Sequence, residues 1–348
     1  MDLSALAKEM EAAIGANAEE QGVKHWLDTG YAPLNKIISG TYGLGLPQGR
    51  IIEMYGPSSS GKTVLTVLWG IAAQRQGGVF GFMDHEKALM VPLAQKLGLD
   101  TAFPKWIYKR PRTWEESNTI MMKAAEVIRA KKAIPEEAPI LMVLDSIAAA
   151  MPKSQVEDSK GNERGIDEYT MNDTTALARV TSTTLKAIND LTSELNVTAL
   201  YLNQIRTKPG VVYGDPTTTP GGTSMEFYAT LRLALGREKV FEGTGADKEL
   251  AGQVIKIKTV KNKLNRPFQS ATIRFMFNED GSARFDPTTS MIEHLVDIGR
   301  LPASGGKVTW INGKTYFKSQ LAELIDKAGE PAHKELMSLL PKEDEEPK

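Results

Sequence analysis

Eight consecutive residues, Gly56, Pro57, Ser58, Ser59, Ser60, Gly61, Lys62 and Thr63, have the spacing G-x-x-x-x-G-K-[ST]. Small residues in such a run let successive backbone N–H groups turn inward around phosphate oxygens. A helix opening at the lysine adds the positive end of its dipole. The lysine reaches β- and γ-phosphates, and the Thr63 hydroxyl is a ligand for Mg²⁺. Val64 extends the same stretch into the first helical turn. The chemistry is the binding of a nucleoside triphosphate, ATP, with Mg²⁺.

Three further residues could complete that chemistry. Asp145 ends the apolar run ILMVLD, where a carboxylate emerging beside the phosphate loop can hold Mg²⁺. Glu86, in MDHEKAL, stands just past another strand and could orient and deprotonate a water for attack on the γ-phosphate. Asp84 and His85 are rivals for that role, and Glu86 could equally serve only the N-terminus of its helix. Gln204 follows the strand VTALYLN at the mouth of a long loop. Its amide could bond a γ-phosphate and report it to the loop, or simply face water.

The elements that must position these groups alternate. Strands at RIIEMYG, VFGFMD, KWIYKR, ILMVLD and VTALYLN are separated by helical stretches at 62–76, 86–97, 114–132 and 172–195. Such alternation predicts βαβ units and a mostly parallel sheet covered on both faces. After Gly222 the rhythm changes to TLRLAL, QVIKIKTV and SATIRFMF, strands without intervening helices that should close one edge antiparallel. A helix is expected over 2–20, with Leu3, Leu6, Met10 and Ile14 on one side. The chain divides into a helix and linker (1–32), a core (33–286), a small C-terminal α/β module (287–341) and an acidic tail (342–348). Two segments, 155–175 and 205–222, are longer than ordinary connections, and long loops in a compact domain are commonly functional. Both follow strands of one sheet, at the end where open parallel sheets bind ligands.

Composition sets limits. The 348 residues contain no cysteine and four histidines, which removes disulfides, thiolate metal sites and cysteine nucleophiles. No apolar run is long enough to span a membrane and no signal peptide is visible, so an intracellular, cytoplasmic protein is expected. The net charge of −1 argues against nucleic-acid binding through bulk positive charge. The charge is segregated, however. Residues 253–275 carry Lys256, Lys258, Lys261, Lys263, Arg266 and Arg274 with no acid, whereas 319–348 hold four lysines against eight acids. Alternation would place Lys261 and Lys263 on the same face of a strand.

Together these residues resemble the RecA family of recombinases. The resemblance rests on GPSSSGKT, D-x-E-x-A-L at 84–89, LDSIAA at 144–149, LNQIRTKPGVVYG at 202–214, TTTPGGTSMEFYA at 217–229 and KTVKNKLNRPF at 258–268. It covers roughly 33–300. The shorter C-terminal region and the stretch GVKHWLDTGYAPLNKIISG suggest a divergent, phage-type member rather than a housekeeping one.

The resemblance implies a RecA-type P-loop NTPase fold with an N-terminal oligomerisation helix. It implies a DNA-dependent ATPase that forms a helical filament with itself on single-stranded DNA, pairs that strand with homologous double-stranded DNA and exchanges strands. Single-strand-binding or loader proteins would be further partners. Glu86 would be the catalytic glutamate, Gln204 the γ-phosphate sensor, and Lys261 and Lys263 groups reaching the ATP of the adjacent protomer. The long loops would bind DNA, with Arg164, Arg206, Lys208, Thr219, Gly221 and Gly222 on or near them. Arg179, Ser182 and Lys186 would contribute from the following helix, and Val211 and Val212 would wedge between base steps. Three positions depart from the family: Leu93 replaces an adenine-stacking Tyr, Met90 replaces an Asp, and Pro220 is inserted. A ring-forming helicase or motor of the same fold and a non-catalytic single-strand-binding mediator are the alternatives. A small-molecule kinase fits less well, because the sequence offers two long loops and no Arg-rich lid.

Overall fold

The computed structural model describes residues 2–14, 22–168, 175–207, 217–243, 248–278 and 280–342. Among the described residues, nine strands form the main sheet. From edge to edge they are Ala283–Asp286, Ser270–Phe277, Glu249–Asn262, Leu231–Glu242, Arg50–Gly56, Val197–Gln204, Ile140–Asp145, Val79–Asp84 and Trp106–Lys109. The last six pair parallel and the first three join antiparallel, as the change of rhythm after Gly222 implied.

The central strands are apolar because both faces are covered. Ile140–Asp145 is buried at every residue. Its Leu141 and Val143 join Phe80, Phe82, Leu200 and Trp69 on one face, while Ile140, Met142 and Leu144 join Trp114, Met121 and Tyr201 on the other. The helix Lys62–Arg75 lies against the first face. Gly70 permits the contact, since a Cβ there would sit 2.1 Å from the Phe80 ring. The helix Trp114–Ala130 covers the second face and is started by Thr113, whose side chain accepts from the Glu116 amide.

Two expectations are revised in detail. The helix expected over 86–97 is confined to Val91–Lys96. Asp84 accepts from the Lys87 amide at 2.7 Å and folds 85–90 into a turn, and Pro92 sits in the first turn of the helix. The first long segment is more ordered than its sequence suggested. It holds a helical turn at Lys153–Val156, an antiparallel bridge between Glu157 and Glu163, and a turn of 3₁₀ helix at Ile166–Glu168. Asp158 organises the bend between them by accepting from the Lys160 and Asn162 amides. The N-terminal helix is described over Leu3–Ile14, and the remainder of its expected span lies outside the described residues.

The C-terminal helices Pro287–Asp297, Lys318–Ala328 and Glu330–Ser338 surround a small three-stranded sheet. Ile292, Leu295, Trp310, Leu321 and Leu336 extend the first apolar layer without a break. Among the described residues no helix is long and apolar enough to cross a membrane.

Candidate nucleotide site and loop bases

Register lines up the carboxyl ends of four adjacent strands. Gly56 lies opposite Gln204, and Asp84 opposite Asp145. The glycines of the phosphate loop are required sterically. A Cβ on Gly61 (φ +91°) would meet Ile255 Cδ1 at 2.5 Å, and one on Gly56 would meet the Leu235 carbonyl oxygen at 2.6 Å. Arg237 donates to the Ser59 carbonyl at 3.2 Å, while Pro57 and Ser58 are exposed at the loop crest. Ser60 Oγ is buried and has no hydrogen-bond partner.

Lys62 folds back over the loop, donating to the Gly56 and Pro57 carbonyls at 3.0 and 2.9 Å. Burial lowers its pKa, opposed by Asp145 and Glu86. Thr63 Oγ1 donates to Asp145 Oδ2 at 2.8 Å. Burial pushes the Asp145 carboxyl up to about 7, against the Thr63 hydrogen bond and with help from Glu86 and Asp84. Such a carboxyl gains from a neighbouring cation. Val64 borders a cavity of about 170 Å³ shared with Thr63, Val67, Leu89, Met90 and Leu93.

The three rivals near residue 85 separate clearly. Asp84 is buried and holds the Lys87 amide and, at 2.8 Å, the Tyr108 hydroxyl. His85 bonds Ser117 Oγ at 2.6 Å, and burial depresses its pKa to about 4, leaving it neutral. Glu86 is the one that faces the site's other groups: its Oε1 accepts from Gln204 Nε2 at 2.8 Å and from Ser146 Oγ at 2.5 Å.

Gln204 leads directly into the second long loop. Arg206 and Thr207 pair antiparallel with Thr218 and Thr217, so the loop is pinched at its base. Lys208, Val211 and Val212 lie outside the described residues. Arg206 is exposed, but Thr219 and Gly221 are buried. Gly221 and Gly222 both have positive φ, and a Cβ on either would press on Ile147 Cγ2 (3.0 Å) or Ala178 Cβ (3.1 Å). Packing of the returning chain thus already requires small residues there. Arg164 donates to the Ser154 and Glu168 carbonyls, bracing the first loop. Arg179, Ser182 and Lys186 are exposed along one face of Ala176–Glu194.

Lys261 lies near the end of the basic strand Glu249–Asn262, but Lys263 falls just past it, its amide donating to the Thr230 carbonyl at 3.0 Å, so the strand alternation expected to pair the two does not reach Lys263. Lys261 Nζ donates to the Glu226 and Phe227 carbonyls at 2.5 and 3.0 Å. Burial, then Lys263 and Arg232, lower its pKa.

Sequence reading missed two groups. Ser146 read only as part of LDSIAA, and Glu53 only as one residue of the strand RIIEMYG. A lone acid at a position flanked by buried residues was the available signal for Glu53. Its carboxylate accepts from Asn203 Nδ2 at 2.9 Å and from Arg232 Nε at 2.6 Å.

A phosphate loop between a parallel strand and a helix, with Asp145 at the end of another strand of the same sheet and Glu86 just past a third, defines a P-loop nucleotide-binding protein. A family model described as the RecA N-terminal domain matches residues 11–282. The chain belongs to the RecA family. It is 36% identical over 263 residues to the chromosomal RecA protein of Lactococcus lactis, covering 75% of this chain and 62% of that one. It is 31% identical to Protein RecA of Thermus aquaticus (93% and 88% covered) and 34% identical to Protein RecA of Acidothermus cellulolyticus (87% and 84%). The matched region thus spans about three fifths of the Lactococcus proteins.

Proposed function

We propose that the chain is an ATP-dependent homologous-recombination protein. It polymerises on single-stranded DNA as a helical filament, pairs that strand with a homologous duplex and exchanges strands, hydrolysing ATP in a DNA-dependent way. The observation that carries this reading is the Gln204–Glu86 hydrogen bond. The residue that opens the pinched loop touches the carboxylate beside the phosphate loop, so loop and nucleotide site are joined by one contact.

ATP would lie with its phosphates in the Gly56–Thr63 loop, and Lys62 would exchange the Gly56 and Pro57 carbonyls for β- and γ-phosphate oxygens. Thr63 and Asp145 suit Mg²⁺, being two hard oxygen donors 2.8 Å apart. When bound, Mg²⁺ supplies positive charge to the phosphate oxygens. Glu86 orients a water and takes its proton as the water oxygen bonds the γ-phosphorus and the bond to the ADP oxygen breaks. Gln204 then has the γ-phosphate as a rival partner to Glu86, so the nucleotide state changes the loop. ATP acts as a ligand with different affinity for two filament states.

Lys261 and Lys263 serve the ATP of the adjacent protomer. The helix Leu3–Ile14, with Leu3, Leu6 and Met10 exposed, docks on a neighbouring subunit. DNA is met by Arg206 and by the face carrying Arg179, Ser182 and Lys186. A filament repeats these modest contacts many times, so a net charge of −1 per chain is no obstacle. The test is ATPase activity with and without single-stranded DNA, followed by electron microscopy. DNA-stimulated turnover with open filaments is expected, whereas closed rings or DNA-independent turnover would overturn the reading.

A further inference from the structure

The two donors on Glu86 Oε1 differ in kind. Gln204 is a long side chain, partly exposed, at the point where the chain leaves the sheet. Ser146 is 0% exposed and has a single side-chain torsion before its hydroxyl. It follows Asp145, whose carboxylate holds Thr63. Consecutive residues at one strand end therefore serve two sides of the site: Asp145 the phosphate loop, Ser146 the Glu86 carboxylate. The same strand end grips the Glu86 backbone, since the Asp145 carbonyl accepts from the His85 and Glu86 amides at 2.7 and 3.3 Å.

We propose that Ser146 is a positioning residue for turnover: its hydroxyl fixes Glu86 Oε1 and keeps the carboxylate aimed when Gln204 turns to the γ-phosphate. The inference rests on the reading of Glu86 as the group that orients water. A carboxylate in that role needs one oxygen anchored and the other available. Among the described residues, the hydrogen bonds to Glu86 from side chains all fall on Oε1, which leaves Oε2 for the water. Gln204 cannot supply the anchor throughout, because its amide would be needed by the phosphate. Ser146 touches no substrate and acts only through Glu86. Misplacing a reacting group by about 1 Å can cost on the order of a hundredfold in rate, so loss of this anchor should appear in kcat and not in binding.

The experiment compares wild type, Ser146→Ala, Ser146→Thr, Glu86→Gln and the Ser146→Ala/Glu86→Gln double variant. Steady-state ATPase on single-stranded DNA gives kcat and KM, and a fluorescent ATP analogue gives affinity without turnover. Ser146→Ala is expected to lower kcat by about tenfold or more, with KM and affinity within about twofold. Ser146→Thr, which keeps the hydroxyl, should recover most of the rate. In the double variant the alanine should cost nothing beyond Glu86→Gln. Wild-type kcat in Ser146→Ala, or a loss of affinity equal to the loss of rate, overturns the inference. So does an additive loss in the double variant. A wild type without turnover, or a fully active Glu86→Gln, instead defeats the reading of Glu86 itself and is seen in those arms alone.

Discussion

Asn203 Nδ2 lies 2.9 Å from Glu53 Oε1 and 2.9 Å from the Pro220 carbonyl oxygen, so one buried amide ties the middle of the sheet to the return of the second loop. Glu53 passes the connection on through Arg232, whose guanidinium also meets Glu226 at 3.3 Å. The Glu226 carbonyl in turn holds Lys261. The loop base and the lysine assigned to the neighbouring protomer's ATP thus share one polar network around Glu53.

The network has a stability consequence. Glu53 is fully buried and the Arg232 side chain is 11% exposed. Removing one partner of a buried pair costs about 3–5 kcal/mol, because the other charge stays buried without it. Glu53→Ala should lower the unfolding free energy by roughly that amount, read from urea denaturation. A loss below about 1 kcal/mol would place the pair among weak surface bridges.

Asn203→Ala tests the connection to the loop. It removes the amide that links Glu53 to Pro220 but leaves the phosphate loop, Asp145 and Glu86 in place. ATP affinity should stay within about twofold, while stimulation of turnover by single-stranded DNA falls several-fold, a coupling loss of about 1 kcal/mol. Unchanged stimulation would show that Pro220 is held adequately by the packing of Gly221 and Gly222.

These contacts also mark where the sequence stops being readable. The phosphate loop, Asp145 and the parallel strands with their intervening helices are local patterns, since Gly56–Thr63 must follow a strand and open a helix. Residue type and position left Glu86, Asp84 and His85 open, and only the family resemblance chose Glu86, because the contacts that separate them come from partners 24 to 118 residues away: Tyr108, Ser117 and Gln204. Ser146 was invisible for the same reason, and the lone acid at Glu53 was a signal without a partner to explain it. An acid inside an apolar strand gains meaning only when Asn203 and Arg232 arrive beside it. Gly221 and Gly222 carried the opposite lesson: the family resemblance implied approach to DNA, and the fold adds a packing demand from Ile147 and Ala178.

Glu86→Gln separates binding from chemistry. The amide keeps the size of the side chain and an oxygen for Ser146, but it is a poor proton acceptor. Turnover should drop by about a hundredfold or more, with ATP and DNA affinity retained. Phosphate-release kinetics and a DNA-binding titration give the two readouts. Turnover near wild type would return the choice to Asp84 or His85.

The apolar side of the N-terminal helix lies outside the core, as a helix that docks on a neighbouring subunit requires. Leu3, Leu6 and Met10 are 80%, 37% and 51% exposed. Replacing all three with serine should therefore leave the melting temperature of the monomer nearly unchanged. It should also raise the protein concentration needed for filament growth, measured by light scattering on single-stranded DNA. A large fall in melting temperature would mean that the helix packs on its own chain.

Lys261→Ala and Lys263→Ala address action between subunits. In one chain Lys261 is held by the Glu226 and Phe227 carbonyls, which are neutral acceptors. An anionic γ-phosphate from a neighbour is a better partner. Each variant should bind nucleotide as a monomer but lose turnover and cooperative growth. Mixing decides between neighbours and self. A Lys62→Ala chain lacks a working phosphate loop but keeps Lys261, while a Lys261→Ala chain has the reverse defect. Where the two meet in the right order, one complete site forms, so the mixture should recover ATPase activity that neither chain has alone. If the lysines serve their own chain's nucleotide, every site in the mixture remains defective and no activity returns.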